Sequence, residues 1–132
     1  MQRELWLAAA PESAAKARAI VREAAKEQGL DDRAVWDLML AITEAVTNAV
    51  VHGQACVEKS AIRLLIESSE RGLFVEVCDC GRFIRRSEPL TKDSLGGRGI
   101  PLMTAVTDDF ELMPETGGTR VRFGKRGIAA AA

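Results

Sequence analysis

The chain has no surplus of charge of either sign: 18 lysines and arginines stand against 19 aspartates and glutamates, a net charge of -1. No run of like charge is long enough to act as a nucleic-acid arm, so direct nucleic-acid binding is not expected. Apolar runs are short, and Met1-Gln2-Arg3-Glu4 leads straight into structured-looking sequence, so neither a membrane span nor a signal peptide is expected. Three cysteines (Cys56, Cys78 and Cys80) cannot all pair within one chain. That argues against an exported disulfide scaffold and for a cytoplasmic protein. Zinc fits poorly, since Cys78-x-Cys80 with Cys56 and His52 lacks the spacing of about two to four residues that paired zinc ligands commonly show. Small apolar strand positions account better for these thiols. Internal repeats are absent too. What is present suits one globular domain: 132 residues, 47% hydrophobic and 28% charged, enough to bury a core between two layers. The domain is expected over residues 1–128, with 129–132 a frayed alanine tail.

Arg3 to Ala8 reads as a short edge strand, and Pro11-Glu12-Ser13 opens a helix of about residues 12–28 that Gly29 stops. Asp31 or Asp32 then caps a second helix running to about His52 and Gly53. From Ala34 to Val51 this helix has no lysine or arginine, and its only charges are Asp37 and Glu44. Val35, Leu38, Met39, Ile42, Val46, Ala49 and Val50 form one apolar stripe. Glu44, Asn48 and His52, at i, i+4 and i+8, line up on the other side, among Leu40, Ala41, Thr47 and Val51. A carboxylate, an amide and an imidazole thus share a face that reads as covered. Ala61–Glu67 and Leu73–Asp79 read as strands of a hairpin. Residues from about Gly81 to Leu95 form a polar surface loop, Ile100–Val106 a short helix, and Phe110–Met113 with Thr119–Phe123 a last strand pair.

Gly96-Gly97-Arg98-Gly99 opens that short helix, where free N–H groups and the positive end of the helix dipole suit a phosphate. It lacks the Lys-Ser/Thr of a P-loop and follows a loop, not a strand, so alone it reads equally as a hinge. Asp79 closes an apolar strand before Cys80-Gly81. There a missing side chain lets a flat ring approach the backbone while the carboxylate accepts a hydrogen bond from an exocyclic amine. Asn48 offers a carbonyl oxygen to a hard cation such as Mg²⁺ bridging phosphates. One turn earlier, Glu44 is placed to orient water or take a proton from an attacking hydroxyl. Each has a plain alternative: Glu44 half-exposed, Asn48 capping a carbonyl, Asp79 starting a turn.

Glu44-Ala-Val-Thr-Asn48-Ala-Val-Val-His52-Gly53, Asp79-Cys-Gly81, Gly97-Arg-Gly99-Ile100 and Gly118-Thr119 resemble, in order and spacing, the four nucleotide-binding boxes of the GHKL (histidine kinase-like) ATPases. The short form, without a dimerisation-histidine domain, resembles the anti-sigma factor serine-protein kinases of the RsbW type. The resemblance covers nearly the whole chain. It implies an α/β two-layer sandwich (α+β, the Bergerat ATP-binding fold) with a mixed, mostly antiparallel sheet and helices on one face. It further implies Mg-ATP as cofactor and phosphorylation of a Ser or Thr of an anti-anti-sigma (STAS-domain) protein. Capture of a sigma factor would alternate with that transfer in stress-response partner switching, and the family suggests a homodimer. Carried over, Glu44 is the general base or water-orienting carboxylate and Asn48 the Mg²⁺ ligand. Asp79 reads the adenine amino group and Gly81 leaves room for the ring. Gly97 and Gly99 approach the phosphates, Arg98 contacts phosphate by its charge, and Thr119 supports the adenine end. The sequence departs from many members at Phe83, where they have a second glycine. The competing expectation is a non-catalytic ATP-binding module in which the nucleotide serves as a conformational ligand. A detached sensor-kinase domain is disfavoured, since the chain has no dimerisation helix pair and no phospho-acceptor motif around His52, its only histidine.

Overall fold

The computed structural model describes residues 1–53, 62–79, 99–115 and 118–126, with the backbone alone at 52–53, 99 and 115. Strand β1 (Gln2–Leu7) leads into helices α1 (Ser13–Gln28) and α2 (Asp32–Gly53), then strands β2 (Ile62–Ser69) and β3 (Gly72–Asp79). Helix α3 (Gly99–Val106) and strands β4 (Asp109–Glu115) and β5 (Gly118–Arg126) follow. Local chemistry sets the helix ends. Gly29 adopts φ 86°, which lets its N–H and that of Leu30 close on the carbonyls of Lys26 and Ala25 and ends α1. The Ala34 N–H donates to Asp31 Oδ1 at 2.8 Å, so of the two candidate caps Asp31 starts α2.

The five strands form one sheet in the order β1-β2-β3-β5-β4, and all four pairings are antiparallel. The period of two divides its faces. Leu64, Ile66, Val75, Val77, Val121 and Phe123 point to one side and are buried under α1 and α2. From α2, Leu38, Ile42 and Val46 close the core with Met103 of α3. The opposite face is held by charge. Glu76 is buried there between Arg120 and Arg122, each 3.2 Å from its carboxylate, and Arg122 also lies over the Phe74 ring at 5.1 Å.

Helix α2 departs from the expectation drawn from short apolar runs. Asp32–Val51 is long and apolar enough to cross a membrane, with a mean hydropathy of 1.4, yet 61% of it is buried inside the protein. Its stripe is spent on the sheet and on α1, as in the central helix of a two-layer domain.

The direction of α2 places everything that follows. At the β2–β3 hairpin end, Gln28 of α1 donates to the Ser69 carbonyl, so α2 begins there. Its Asp37 meets Lys125, the next-to-last residue of β5. From that point the helix runs back over the sheet toward the other end, where β3 finishes and β5 starts. Helix α3 packs against α2, and the chain after it enters β4 at the hairpin end through Asp108 N–H to Gly124 O. The N-terminus of α3 therefore points to the far end as well.

Candidate functional site

The candidate residues that the structure describes lie toward that far end. In the antiparallel register Asp79, the last residue of β3, lies directly opposite Thr119, the second of β5. Both sit on the core face with Val77 and Val121, at the edge where the apolar packing stops. Above them comes the C-terminal half of α2 with Glu44 and Asn48, both half-buried. The backbone of Gly99 begins α3, so the last glycine of the Gly-rich segment does open a helix. Gly81, Gly97 and Arg98 lie outside the described residues, as do Cys80, Phe83, the expected loop of 81–95, Cys56, the side chain of His52 and the tail 129–132.

Two polar atoms at this end lack what burial normally requires. Asn48 Nδ2 and Thr119 Oγ1 are both buried and have no hydrogen-bond partner among the described residues. Thr119 as a residue is only 2% exposed. An unmet buried polar group costs about 1–3 kcal/mol, so such atoms are rarely left idle. They come from opposite layers, one from the helix and one from the sheet, and converge on the end where Asp79 stands. A polar ligand with both donors and acceptors, inserted between the layers, would satisfy them. An adenine nucleotide is such a group: its base presents an amine and ring nitrogens, its phosphates present acceptor oxygens for an amide N–H, and the Asn48 amide oxygen stays available to a hard cation.

The face of α2 is less covered than its composition suggests. Alongside Glu44 and Asn48, Thr47 is exposed and Val51 is 56% exposed, while Leu40 is half-buried and only Ala41 is buried. The lack of charge on this side thus marks a surface partly open at its C-terminal half. One buried charge was not foreseen from the sequence. Asp37, noted there only as a charge in an apolar helix, is buried and ion-paired. The available signal was its spacing of seven residues from Glu44, which puts both on one side of the helix.

The family profile of the histidine kinase-like ATPase domain matches residues 7–125. The chain belongs to this family. An anti-sigma F factor of Clostridium botulinum is 31% identical over 101 residues, covering 70% of this chain and 71% of that protein. A serine-protein kinase RsbW of Oceanobacillus iheyensis is 27% identical over 126 residues, covering 86% of this chain and 80% of its own length. Among solved structures, the RsbU and RsbW domains of a Mycobacterium tuberculosis protein superpose with a TM-score of 0.77 at 25% identity. That match takes in 96% of this chain and 32% of the longer, multidomain one. The family and the fold expected from the four boxes are thereby established, with the described strands paired antiparallel throughout.

Proposed function

We propose that the protein is an anti-sigma regulatory factor with serine/threonine-protein kinase activity, which binds Mg-ATP at the open end of the sandwich. It phosphorylates a Ser or Thr of an anti-anti-sigma (STAS-domain) protein and otherwise sequesters a sigma factor, acting as a homodimer in the cytoplasm. The observation that carries this reading is the pair of buried atoms, Asn48 Nδ2 and Thr119 Oγ1, left without a hydrogen-bond partner among the described residues, with Thr119 directly opposite Asp79 in the sheet. The names of the relatives support the kinase and anti-sigma roles.

In this reading Asp79 accepts a hydrogen bond from the adenine amino group, and the Thr119 hydroxyl supports the same end of the ring. Gly81 clears space for the base. Gly97, Arg98 and Gly99 contact the phosphates where α3 begins. Asn48 holds Mg²⁺, which when bound neutralises phosphate charge. Glu44, one turn before Asn48, orients the acceptor hydroxyl and takes its proton. The serine oxygen forms a bond to the γ-phosphorus while the bond from that phosphorus to the oxygen of ADP breaks, and ADP leaves. The direct test is incubation with Mg-ATP and candidate STAS-domain proteins, read by mass spectrometry for phosphoserine or phosphothreonine. Transfer to one antagonist supports the kinase, and transfer to none, with ATP still bound, favours the non-catalytic module.

Two substitutions separate the ends of the nucleotide. Even groups that only support a metal ligand are worth about tenfold to a hundredfold in metal affinity, so Asn48→Ala should weaken Mg-ATP binding at least about tenfold. Calorimetry with and without the divalent ion checks this, and parent-like affinity would move the metal elsewhere. Asp79→Asn should leave the fold intact and lose about 1 kcal/mol or more of adenine binding, as a charge-assisted bond becomes a neutral one or a mismatch. Competition between ATP and GTP reads it, and an unchanged preference would return Asp79 to a structural role.

A further inference from the structure

Of the charged side chains Asp32, Arg33, Asp37 and Glu44 on α2, only Asp37 is buried. Its Oδ2 lies 3.0 Å from Lys125 Nζ, with 7% and 17% of the two side chains exposed. Its Oδ1 accepts from Arg33 Nε at 3.3 Å on the helix surface. Taking Asp37 and Lys125 largely out of water is costly, and buried pairs of this kind are often no more stabilising than apolar side chains of equal size. Their distinctive property is direction, since an ion pair has one geometry where apolar contacts have many.

Direction matters at this interface because the packing beside it is smooth. Asp37 and Asn48 are eleven residues apart and so stand within about 20° of each other around the helix. Between them, close to the same line, lie Ala41, buried and too small to act as a knob, and Glu44, half-buried. On β5, Lys125, Phe123, Val121 and Thr119 alternate onto the core face beneath α2. From Asp37 to Asn48 the helix advances about 16 Å. From Lys125 to Thr119 the strand covers about 20 Å in the same direction. The ion pair and the two unsatisfied atoms are therefore opposite ends of one helix–strand contact.

We propose that Asp37 and Lys125 are a positioning pair that fixes the axial and rotational setting of α2 on β5, and so holds Asn48 level with Thr119 across the site. Neither residue touches the ligand. The functional consequence rests on the nucleotide-binding reading above, and the structural consequence does not.

The test uses the full chain with both charges removed, Asp37→Leu with Lys125→Met, beside the charge-keeping Lys125→Arg. Urea unfolding, Mg-ATP titration and amide hydrogen exchange over Ala45–Val50 are measured on each. The double variant should unfold at the parent's midpoint or above, yet bind Mg-ATP about tenfold to a hundredfold more weakly, the scale of a misplacement of about 1 Å. Its Ala45–Val50 amides should exchange faster, while Lys125→Arg stays close to the parent in all three. A folded double variant with parent-like affinity and exchange would overturn the proposal. So would affinity lost only together with stability, which would make the pair a plain support. If the parent itself bound no Mg-ATP, the nucleotide reading would fall, and the exchange comparison would still decide the positioning role.

Discussion

Glu44→Gln is expected to bind Mg-ATP and a sigma factor nearly as the parent does and to fail at phosphorylating the antagonist. Glu44 sits half-buried one helical turn before Asn48, on the side of α2 where Thr47 and Val51 are open. A carboxylate so placed can reach an incoming hydroxyl, while in the proposed mechanism the nucleotide is held by other groups. The glutamine keeps the shape and most hydrogen bonding but cannot accept a proton, so only the transfer step should suffer. General-base groups are worth about two to four orders of magnitude in rate, and a loss of that size is anticipated. A phosphate-transfer time course for parent and variant, beside a binding titration of each, makes the measurement. Equal rates would remove Glu44 from the mechanism. A rate loss matched by an equal loss of nucleotide affinity would make it a binding residue. A parent inactive toward every antagonist, yet switching partners on ATP, would favour the non-catalytic module.

How far the sequence could lead differs from element to element. Helix α2 was legible because its period of 3.6 is strong and uninterrupted and because Asp31 and Gly29 bracket its start. The β2–β3 hairpin was legible for the same local reason. The sheet order was not, since nothing near β5 announces that it inserts between β3 and β4. Such pairings are decided by which apolar faces meet through space. Glu44 and Asn48 could be placed together because one helix carries both. Asp79 and Thr119 lie forty residues apart, and only the resemblance to the nucleotide-binding boxes joined them before the register did. Two features stayed hidden. The openness of the α2 face around Thr47 and Val51 is a matter of what does not pack there, which composition cannot report. The burial of Asp37 depends on Lys125, eighty-eight residues away, whose amine reaches back under the helix.

Phe123→Ala should be the most damaging single change to the fold. Phe123 is 0% exposed on the core face of β5, where its cross-strand neighbours are Val75 of β3 and Phe110 of β4. Its strand neighbour Val121 and the helix residues Leu38 and Ile42 belong to the same core. The site is walled by sheet and helix, so little can collapse into the space a deleted ring leaves. Phenylalanine-to-alanine changes in such places cost about 3–5 kcal/mol. Domains of this kind hold only about 5–15 kcal/mol in total. The variant is therefore expected to show a much lower urea midpoint with an unchanged slope, the sign of lost stability without a changed denatured state. A loss below about 1 kcal/mol would mean that the core repacks around the gap. The same strand carries Thr119 at its other end, so the variant also reports on the site. A ligand that binds only the folded chain adds about 2.7 kcal/mol at a hundred times its dissociation constant. Mg-ATP at a hundred times its dissociation constant should thus recover more than half of a loss of about 3 kcal/mol, if the nucleotide binds the folded chain. A midpoint that nucleotide leaves unmoved, in variant and parent alike, would count against nucleotide binding by the folded chain.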